Sequence, residues 1–331
     1  MFELSVILEN TIRALFNAEA LILALAAIGL NVHFGYTGLL NFGQVGFLLV
    51  GAYGLGVGVT YLDLPFGLAI LLGLGLAVLL ALLLGIPTLR LRADYLAIVT
   101  IASSEVLRLT ARSATLRDVT GGSSGLTGFA DGFYDLNPLS NGRYGFGPFS
   151  YNESRMWLLI VGWTLVILGC LLVFMLMRSP WGRVLKAIRE DEDAVRSLGK
   201  NVVGYKMQSL ILGGIFGALG GFMFALANSS IQPDNYSTLL TFFAFTAMIL
   251  GGAGRVLGPV VGAIIFSSFF SFLENFLFQA VSNDVIPSSV MNSNQVGIVR
   301  FALVGVLLMV LMIYRPQGIF GDKKELALDA R

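Results

Sequence analysis

Long apolar stretches separated by short polar segments dominate the sequence. Each apolar stretch approaches the roughly 17–25 residues that a helix needs to cross a hydrocarbon core of about 30 Å. The pattern predicts nine membrane-spanning helices, at residues 18–34, 43–61, 65–86, 94–112, 156–177, 205–228, 236–254, 257–279 and 295–314.

The first 16 residues, MFELSVILENTIRALF, do not continue this pattern. They lack the basic start and the small-residue cleavage site of a secretory signal peptide. We interpret them as an interfacial segment that remains in the mature protein. A tenth crossing is the alternative, but it would bury Glu9 and Arg13 in lipid, which is costly.

The composition supports a membrane protein. The 331 residues are 56% apolar and only 12% charged, with a mean hydropathy of +0.81, whereas soluble domains carry about 25% charged residues. The chain contains 40 glycines, and small residues at four-residue spacing allow helices to approach closely in lipid. We therefore predict an all-α polytopic membrane protein, a single glycine-rich bundle over residues 1–331 with about nine (8–10) helices. A net charge of +1 gives no reason to expect a nucleic-acid partner.

The distribution of Lys and Arg predicts the orientation, because short cytoplasmic loops are enriched in both. Basic residues lie in loop 87–93, in segment 178–206 and in the tail 315–331. Nine crossings place all three on one side, so we expect the loop 178–204 and the tail to be cytoplasmic and the N-terminus to lie outside. The opposite loops contain neither Lys nor Arg: 61–65, 228–235 and 282–294.

The region 113–155 is rich in Gly, Ser, Asn and aromatic residues and has mixed charge. Irregular backbone at membrane depth is tolerated only where it is buried in protein or lines a wet cavity. We expect an extracytoplasmic or partly re-entrant loop that acts as a gate or vestibule, with an ordinary external loop as the alternative.

Several kinds of chemistry are excluded by the residue types. His33 is the only histidine and Cys170 the only cysteine, so neither a metal cluster nor a Ser-His-Asp constellation is available. The candidates for a functional ionisable residue within the predicted helices, Glu105 and Glu274, lie towards helix ends, and Glu105 is expected to pair with Arg108. The sequence also lacks a GxxxxGK[ST] phosphate loop, so this chain is not expected to be an enzyme, to bind a cofactor or to hydrolyse ATP.

One short segment concentrates the charge of the chain. Residues 178–206 contain 7 basic and 4 acidic side chains, 11 in all, out of the 41 given by 21 basic and 20 acidic residues. Within it, Trp181, Val184, Leu185 and Ile188 form the apolar stripe of a helix. The acidic run EDED at 190–193 favours a second helix start.

After the acidic run, Ala194, Val195 and Leu198 would form a short apolar face, and Gly199 lies where a left-handed residue ends a helix. The pattern predicts a bent surface helix that docks on a partner. Topology alone would need only basic residues and would not explain the acidic cluster.

This segment, KAIREDEDAVRSLGKNVVGYK, resembles the cytoplasmic coupling loop of ABC importer permeases, which has a Glu-Ala-Ala-like start and a Gly a few residues later. In this form it is similar to the permeases of branched-chain amino acid uptake systems, specifically the M-type member of the permease pair. The resemblance covers nearly the whole chain and rests on further segments: GLNVHFGYTGLLNFGQVGFLLVGAYG at 29–54, RADYLAIVTIASSEVLR at 92–108, TGGSSGLTG at 120–128, GGAGRVLGPVVGA at 251–263 and YRPQGIFG at 314–321.

The resemblance implies a transport subunit of the bacterial plasma (inner) membrane. Its partners would be a homologous second permease, two cytoplasmic ABC ATPases that use the ATP, an extracytoplasmic solute-binding protein and membrane lipid. Branched-chain or other neutral amino acids would be the solute. By matching position, the resemblance also implies which residues contact the ATPases. Val195 and Leu198 would be the apolar anchors, and Gly199 would be the stop. The full set is Glu190, Asp191, Glu192, Asp193, Ala194, Val195, Arg196, Leu198 and Gly199.

Polar residues in apolar segments are the candidates for the translocation path. Asn41 and Gln44 lie in a Gly-rich stretch that could be a broken helix of the kind that lines transport sites. The remaining candidates are Thr100, Ser103 and Ser104 on one side of the fourth helix, and Gly122 and Ser123 in the loop. Interhelical hydrogen bonding is the alternative role for these side chains.

Two other functions remain open at this stage. A permease of the same family could carry urea, short amides or another small polar solute. An ATP-independent secondary transporter would work alone, and it would leave the charged segment 190–199 without a purpose.

Overall fold

The structure, a computed structural model, describes residues 4–89, 93–145, 147–283, 285–286, 292, 295–314 and 317–321. Arg90 and Arg92 of the basic loop, most of loop 282–294 and most of the tail 315–331 lie outside these residues. The described part is predominantly helical, and its two sheets are each a pair of two-residue strands.

Within the described residues, nine long helices occur, one at each predicted crossing. A π-helix, Asn31–Tyr36, extends the first of them. The nine are α2 (Ala18–Leu30), α3 (Gln44–Thr60), α4 (Phe66–Thr88), α5 (Ala93–Arg112), α8 (Glu153–Arg178), α11 (Val202–Asn228), α12 (Thr238–Gly251), α13 (Gly258–Ser282) and α14 (Val296–Tyr314). The shorter helices are α1 (Leu4–Ala14), α6 (Arg117–Thr120), α7 (Asp131–Tyr134), α9 (Pro180–Glu190) and α10 (Glu192–Ser197).

The number of membrane crossings is a separate question from the number of helices. Within the described residues, five segments are long and apolar enough to cross a membrane by length and composition: Leu4–Tyr36, Phe66–Thr88, Glu153–Arg178, Val202–Asn228 and Gly258–Ser282. The fold class is therefore confirmed as an all-α membrane bundle, and the count of nine crossings stays a prediction.

The core lies around α2 and α11. Helix α11 packs against α2, α3 and α4, while α13 packs against α2 and α12. Glycine residues allow these helices to pack closely, as the four-residue spacing of Gly213, Gly217 and Gly221 predicts. A Cβ at Gly221 would overlap the carbonyl group of Leu48 on α3, and a Cβ at Gly213 would overlap the His33 ring.

The region 113–155 forms an ordered cap over one end of the bundle. Phe129 and Phe133 are buried in it, and the Trp157 indole N–H donates to the Phe133 carbonyl at 3.1 Å. Strand β1 (Leu126–Thr127) pairs with β4 (Ser230–Ile231), and β2 (Arg143–Tyr144) pairs with β3 (Tyr151–Asn152). The short elements are thus tied to helix ends by hydrogen bonds.

The expected pairing of the ionisable residues is confirmed. Glu105 accepts from Arg108, whose guanidinium also reaches Asp234 at 2.7 Å, and Glu274 pairs with Arg300. Both carboxylates flagged in the sequence are therefore engaged in ion pairs.

We expect Gly221→Ala to lower the free energy of unfolding by about 1–3 kcal/mol, because inserting a carbon into a tight contact forces backbones apart. Thermal unfolding of the detergent-solubilised chain measures the effect. Gly75→Ala in α4 is the matched control, since its Cβ would meet nothing within 4 Å and Ala favours a helix interior over Gly by about 1 kcal/mol. Equal unfolding temperatures for the two variants would contradict the close-contact interpretation.

Candidate functional site

Helix α2 is interrupted before α3 begins, and the interruption lies inside the bundle. After the π-helix Asn31–Tyr36, residues 38–43 have no regular structure, and α3 begins at Gln44. We call residues 37–43 the break. Gln44, the residue after the break, bonds to Gly213, which lies 11 residues into α11, about 16 Å along the helix axis from its first residue. The structure places an irregular segment at this stretch, and the interpretation of the stretch as a broken helix that lines a path stays a prediction.

Side chains satisfy the backbone N–H groups that the break exposes. The Gly43 N–H donates to Asn41 Oδ1 at 2.9 Å, and the Phe42 N–H donates to Thr100 Oγ1 on α5 at 3.1 Å. The Val45 N–H donates to Thr241 Oγ1 on α12 at 2.9 Å. Because an unpaired backbone group in a dry interior is costly, three separate elements are needed to hold this irregular segment.

His33 joins the break to α11. The Asn41 amide donates to His33 Nδ1 at 3.1 Å and to Gln44 Oε1 at 3.2 Å, while His33 Nε2 lies 3.1 Å from the Leu210 carbonyl oxygen. Since Nδ1 accepts, the geometry fits the tautomer with hydrogen on Nε2, which donates to Leu210. The Gln44 amide then donates to the Gly213 carbonyl at 3.0 Å.

The sequence missed the role of His33. The sequence analysis noted it only as the one histidine of the chain, whereas its ring is fully buried and hydrogen-bonds to Asn41 and Leu210. A lone histidine in an apolar stretch was the available signal. Gly213, which leaves the space that the ring fills, is 180 residues away in the chain and could not be connected with it.

The predicted path residues fall into two groups. Asn41, Gln44 and Thr100 are fully buried and meet at the break, and Ser104 lies one turn further along α5 beside Gly46. Ser103 is only partly buried.

Gly122 and Ser123 belong to the cap, in the 3₁₀ turn Gly122–Ser124. Helix α5 runs 12 residues from Thr100 to its end at Arg112, about 18 Å. The two groups therefore lie at different levels of the bundle and do not form one site.

The charged segment 190–199 is a bent helical element, as predicted. Helix α9 ends at Glu190, and Asp191 has an extended backbone and caps α10 by accepting from the Ala194 N–H at 2.9 Å. Gly199 follows the helix end with φ +76, in the left-handed region that favours glycine. The acidic residues pair locally: Arg196 binds Glu192 and Asp193 at 2.8 and 3.0 Å, and Lys206 binds Glu192.

The prediction of one apolar face beneath this element is wrong. Val195 is buried against Ile188 of α9 and Val202 of α11, whereas Ala194 and Leu198 are exposed, Leu198 by 79%. Of the three apolar residues, only Val195 meets α9 and α11, and Leu198 is the C-cap residue that follows Ser197. Val195 attaches the element to its own chain, and Leu198 is the apolar side chain at its surface.

Arg189 connects this element to the break. Its Nη1 donates to the Gly35 carbonyl of the π-helix at 2.5 Å, and a Cβ on Gly38 would lie 3.4 Å from its Cγ. A cavity of about 270 Å³ adjoins the contact, between the break and α9–α10. Sequence reasoning did not single out Arg189, whose partner is 154 residues away.

A helical membrane bundle with an irregular segment at its centre and a capped, charged two-helix element at one end fits the class of membrane permeases that the sequence motifs resemble. The chain belongs to the family of branched-chain amino acid transport system permease components, whose family model matches residues 14–314. The resemblance drawn from the sequence motifs is confirmed.

Individual relatives agree over most of the chain. The high-affinity branched-chain amino acid transport system permease protein LivM of Escherichia coli (strain K12) is 29% identical over 309 residues, covering 90% of this chain and 68% of the relative. A probable branched-chain amino acid transport permease protein LivM of Methanocaldococcus jannaschii is 26% identical and covers 90% of both chains. The fructose import permease protein FrcC of Rhizobium meliloti is 28% identical over 134 residues, 39% of this chain and 35% of the relative.

We expect Asn41→Ala to destabilise the fold, because each buried polar group left without a partner costs about 1–3 kcal/mol and the change removes three hydrogen bonds. Unfolding of the solubilised chain and hydrogen exchange at residues 42–45 measure the loss. Asn235→Ala, at an exposed position in the turn Pro233–Asn235, is the control for removing an amide. If both variants unfold and exchange alike, Asn41 does not hold the break.

Proposed function

We propose that this chain is the transmembrane permease subunit of an ATP-binding-cassette importer and that residues 190–199 dock on a cytoplasmic ATPase. One observation carries the proposal. Leu198 projects from a short capped helix whose other apolar side chain, Val195, is buried against α9 and α11. A rigid base with an exposed apolar tip is what a docking element requires, because an interface centre is apolar and its rim polar.

We further propose that this end of the bundle is cytoplasmic. The basic residues of segment 178–206 support this orientation. The described part of the tail lies at the same end, since the Ile319 and Phe320 N–H groups donate to the Leu250 and Gly251 carbonyls at 2.9 and 3.1 Å. The cap formed by residues 113–155 would then face the outside, where a solute-binding protein would deliver the solute.

Within this assembly, the break is the proposed moving element of the path. Asn41, Gln44 and Thr100 use their polar groups inside the chain, so a solute would meet them only when the break rearranges. A homologous second permease would complete the path and two ATPases would supply the energy. We do not expect this chain itself to bind a cofactor.

Branched-chain amino acids are the proposed solute. The family description and the two relatives matched over 90% of this chain support this choice. The match to the fructose permease covers only 39% of the chain, so a different small polar solute remains the alternative.

We expect Leu198→Glu to abolish co-purification of the ATPases with the permease, because a carboxylate replaces an apolar contact at the centre of the interface. Losing such a contact costs about 2 kcal/mol or more, at least about tenfold in affinity. Uptake of labelled leucine into vesicles that hold the whole assembly should fall in parallel.

Leu136→Glu is the control for this experiment, since Leu136 is 65% exposed and lies in the cap. Both variants should insert and unfold like the wild type. Full ATPase binding by Leu198→Glu, or full leucine uptake by the isolated chain without any ATPase, would overturn the proposal.

We expect Arg189→Ala to uncouple ATP hydrolysis from transport. The ATPases would still bind at residues 190–199, but the hydrogen bond to Gly35 would be lost, so leucine uptake per ATP hydrolysed should fall at least fivefold, the factor for about 1 kcal/mol. Arg189→Lys, which keeps a donor, should restore part of the coupling.

Arg183→Ala, an exposed arginine on the same helix, is the matched control and should keep the wild-type ratio. An unchanged ratio in Arg189→Ala would show that movement reaches the break by another route.

A further inference from the structure

An open groove of about 700 Å³ lies on the side of the bundle, at the end that bears α9 and α10. It is bordered by the last turns of α8, by the turn between α12 and α13, and by Phe320 of the tail. Neither the break nor the docking residues 190–199 line it. The groove is therefore separate from the features assigned to transport.

The wall of the groove on the α8 side is apolar and faces outwards. Leu171 and Phe174 of α8 are exposed there, as is Leu257 at the start of α13. These side chains lie on helices long and apolar enough to span the membrane. A surface of this kind is expected to be in contact with lipid acyl chains.

Three cations converge at the end of this apolar wall. Arg178 is the last residue of α8, Lys186 belongs to α9, and Arg255 lies in the α12–α13 turn. Among the described residues that line the groove, none is acidic. Arg178 and Lys186 therefore bring positive charge to the groove without an acidic neighbour in this part of its lining.

Aromatic rings hold two of the cations in place without cancelling their charge. The Arg178 guanidinium lies 4.1 Å from the centre of the Phe174 ring, and Lys186 Nζ lies 5.8 Å from the centre of the Tyr36 ring. Cation–π contacts of this length are attractive, and they leave N–H donors of both groups for a further anion.

The start of α13 adds a fourth positive contribution. Its first residue, Gly258, lines the groove, and the 25 residues of the helix give its N-terminus a partial positive charge. The N-cap residue is Leu257, whose apolar side chain offers no acceptor to the first N–H groups. An anionic oxygen from a ligand would meet that need.

We propose that this groove is a binding site for an anionic phospholipid of the cytoplasmic leaflet. The phosphate and the acidic headgroup lie beside Arg178 and Lys186, and an acyl chain runs along Leu171 and Phe174. The combination of an apolar wall and a basic rim at one level selects a lipid over a soluble anion, because a soluble anion would gain nothing from the wall. Basic pockets on the cytoplasmic side of membrane helices bind such headgroups.

Native mass spectrometry of the full chain tests the proposal, with phosphatidylglycerol and phosphatidylcholine added at equal concentrations. The wild type should retain phosphatidylglycerol in preference to phosphatidylcholine. Each cation is worth about fivefold in binding, so Arg178→Gln with Lys186→Gln should reduce phosphatidylglycerol binding at least tenfold. Arg183→Gln with Lys200→Gln is the matched control, since it removes the same charges from exposed positions outside the groove lining.

Two results would overturn the proposal. Equal retention of both lipids by the wild type, or an unchanged preference in the Arg178/Lys186 variant, would show that the groove does not select an anionic lipid. The same measurement on the whole assembly adds a second test. If phosphatidylglycerol binding disappears there, the second permease covers this face and the lipid assignment is wrong.

Discussion

The fold depends on satisfying the backbone of a broken helix where water is scarce. Helices cross membranes because they hydrogen-bond their own backbone, and an interruption removes that self-sufficiency. In this chain the N–H groups of residues 42, 43 and 45 are satisfied by Thr100, Asn41 and Thr241. The break can therefore exist only while α5, α12 and α3 stay in register. The same dependence makes the break sensitive to any movement of its neighbours.

Close packing at glycine residues and the buried hydrogen bonds of Gln44 and His33 depend on each other at the contact between the break and α11. Gly213 and Gly217 allow α11 to approach close enough for Gln44 to reach a backbone carbonyl, and they leave space for His33. A larger residue at either position would fill the space that His33 occupies or would keep Gln44 too far from the backbone carbonyl. Close packing and buried polarity are thus not alternatives here, because the hydrogen bonds need the short distances that glycine permits.

The sequence predicted the helices well because lipid imposes a simple rule on each segment separately. The predicted crossing 205–228 is α11, Val202–Asn228, and 43–61 is α3, Gln44–Thr60. The capped bend and Gly199 were also predictable, since capping depends on neighbouring residues. The contacts of Arg189 with Gly35 and of His33 with Leu210 join residues 154 and 177 positions apart, so a local sequence pattern cannot predict them.

The different burial of Val195 and Leu198 is a second feature that a local sequence pattern does not predict. Both are apolar and three residues apart, so periodicity places them on one face. In the folded chain only Val195 meets the neighbouring helices α9 and α11, and Leu198, the C-cap residue of α10, is exposed. In this way the element acquires two attachments to the bundle, the buried Val195 with α9 and α11 and the hydrogen bond from Arg189 to the π-helix. The Glu192–Lys206 ion pair reinforces the first of them. If the proposed docking at Leu198 is correct, a force applied there would reach α11 and the π-helix together, and these two elements are joined by the His33–Leu210 hydrogen bond.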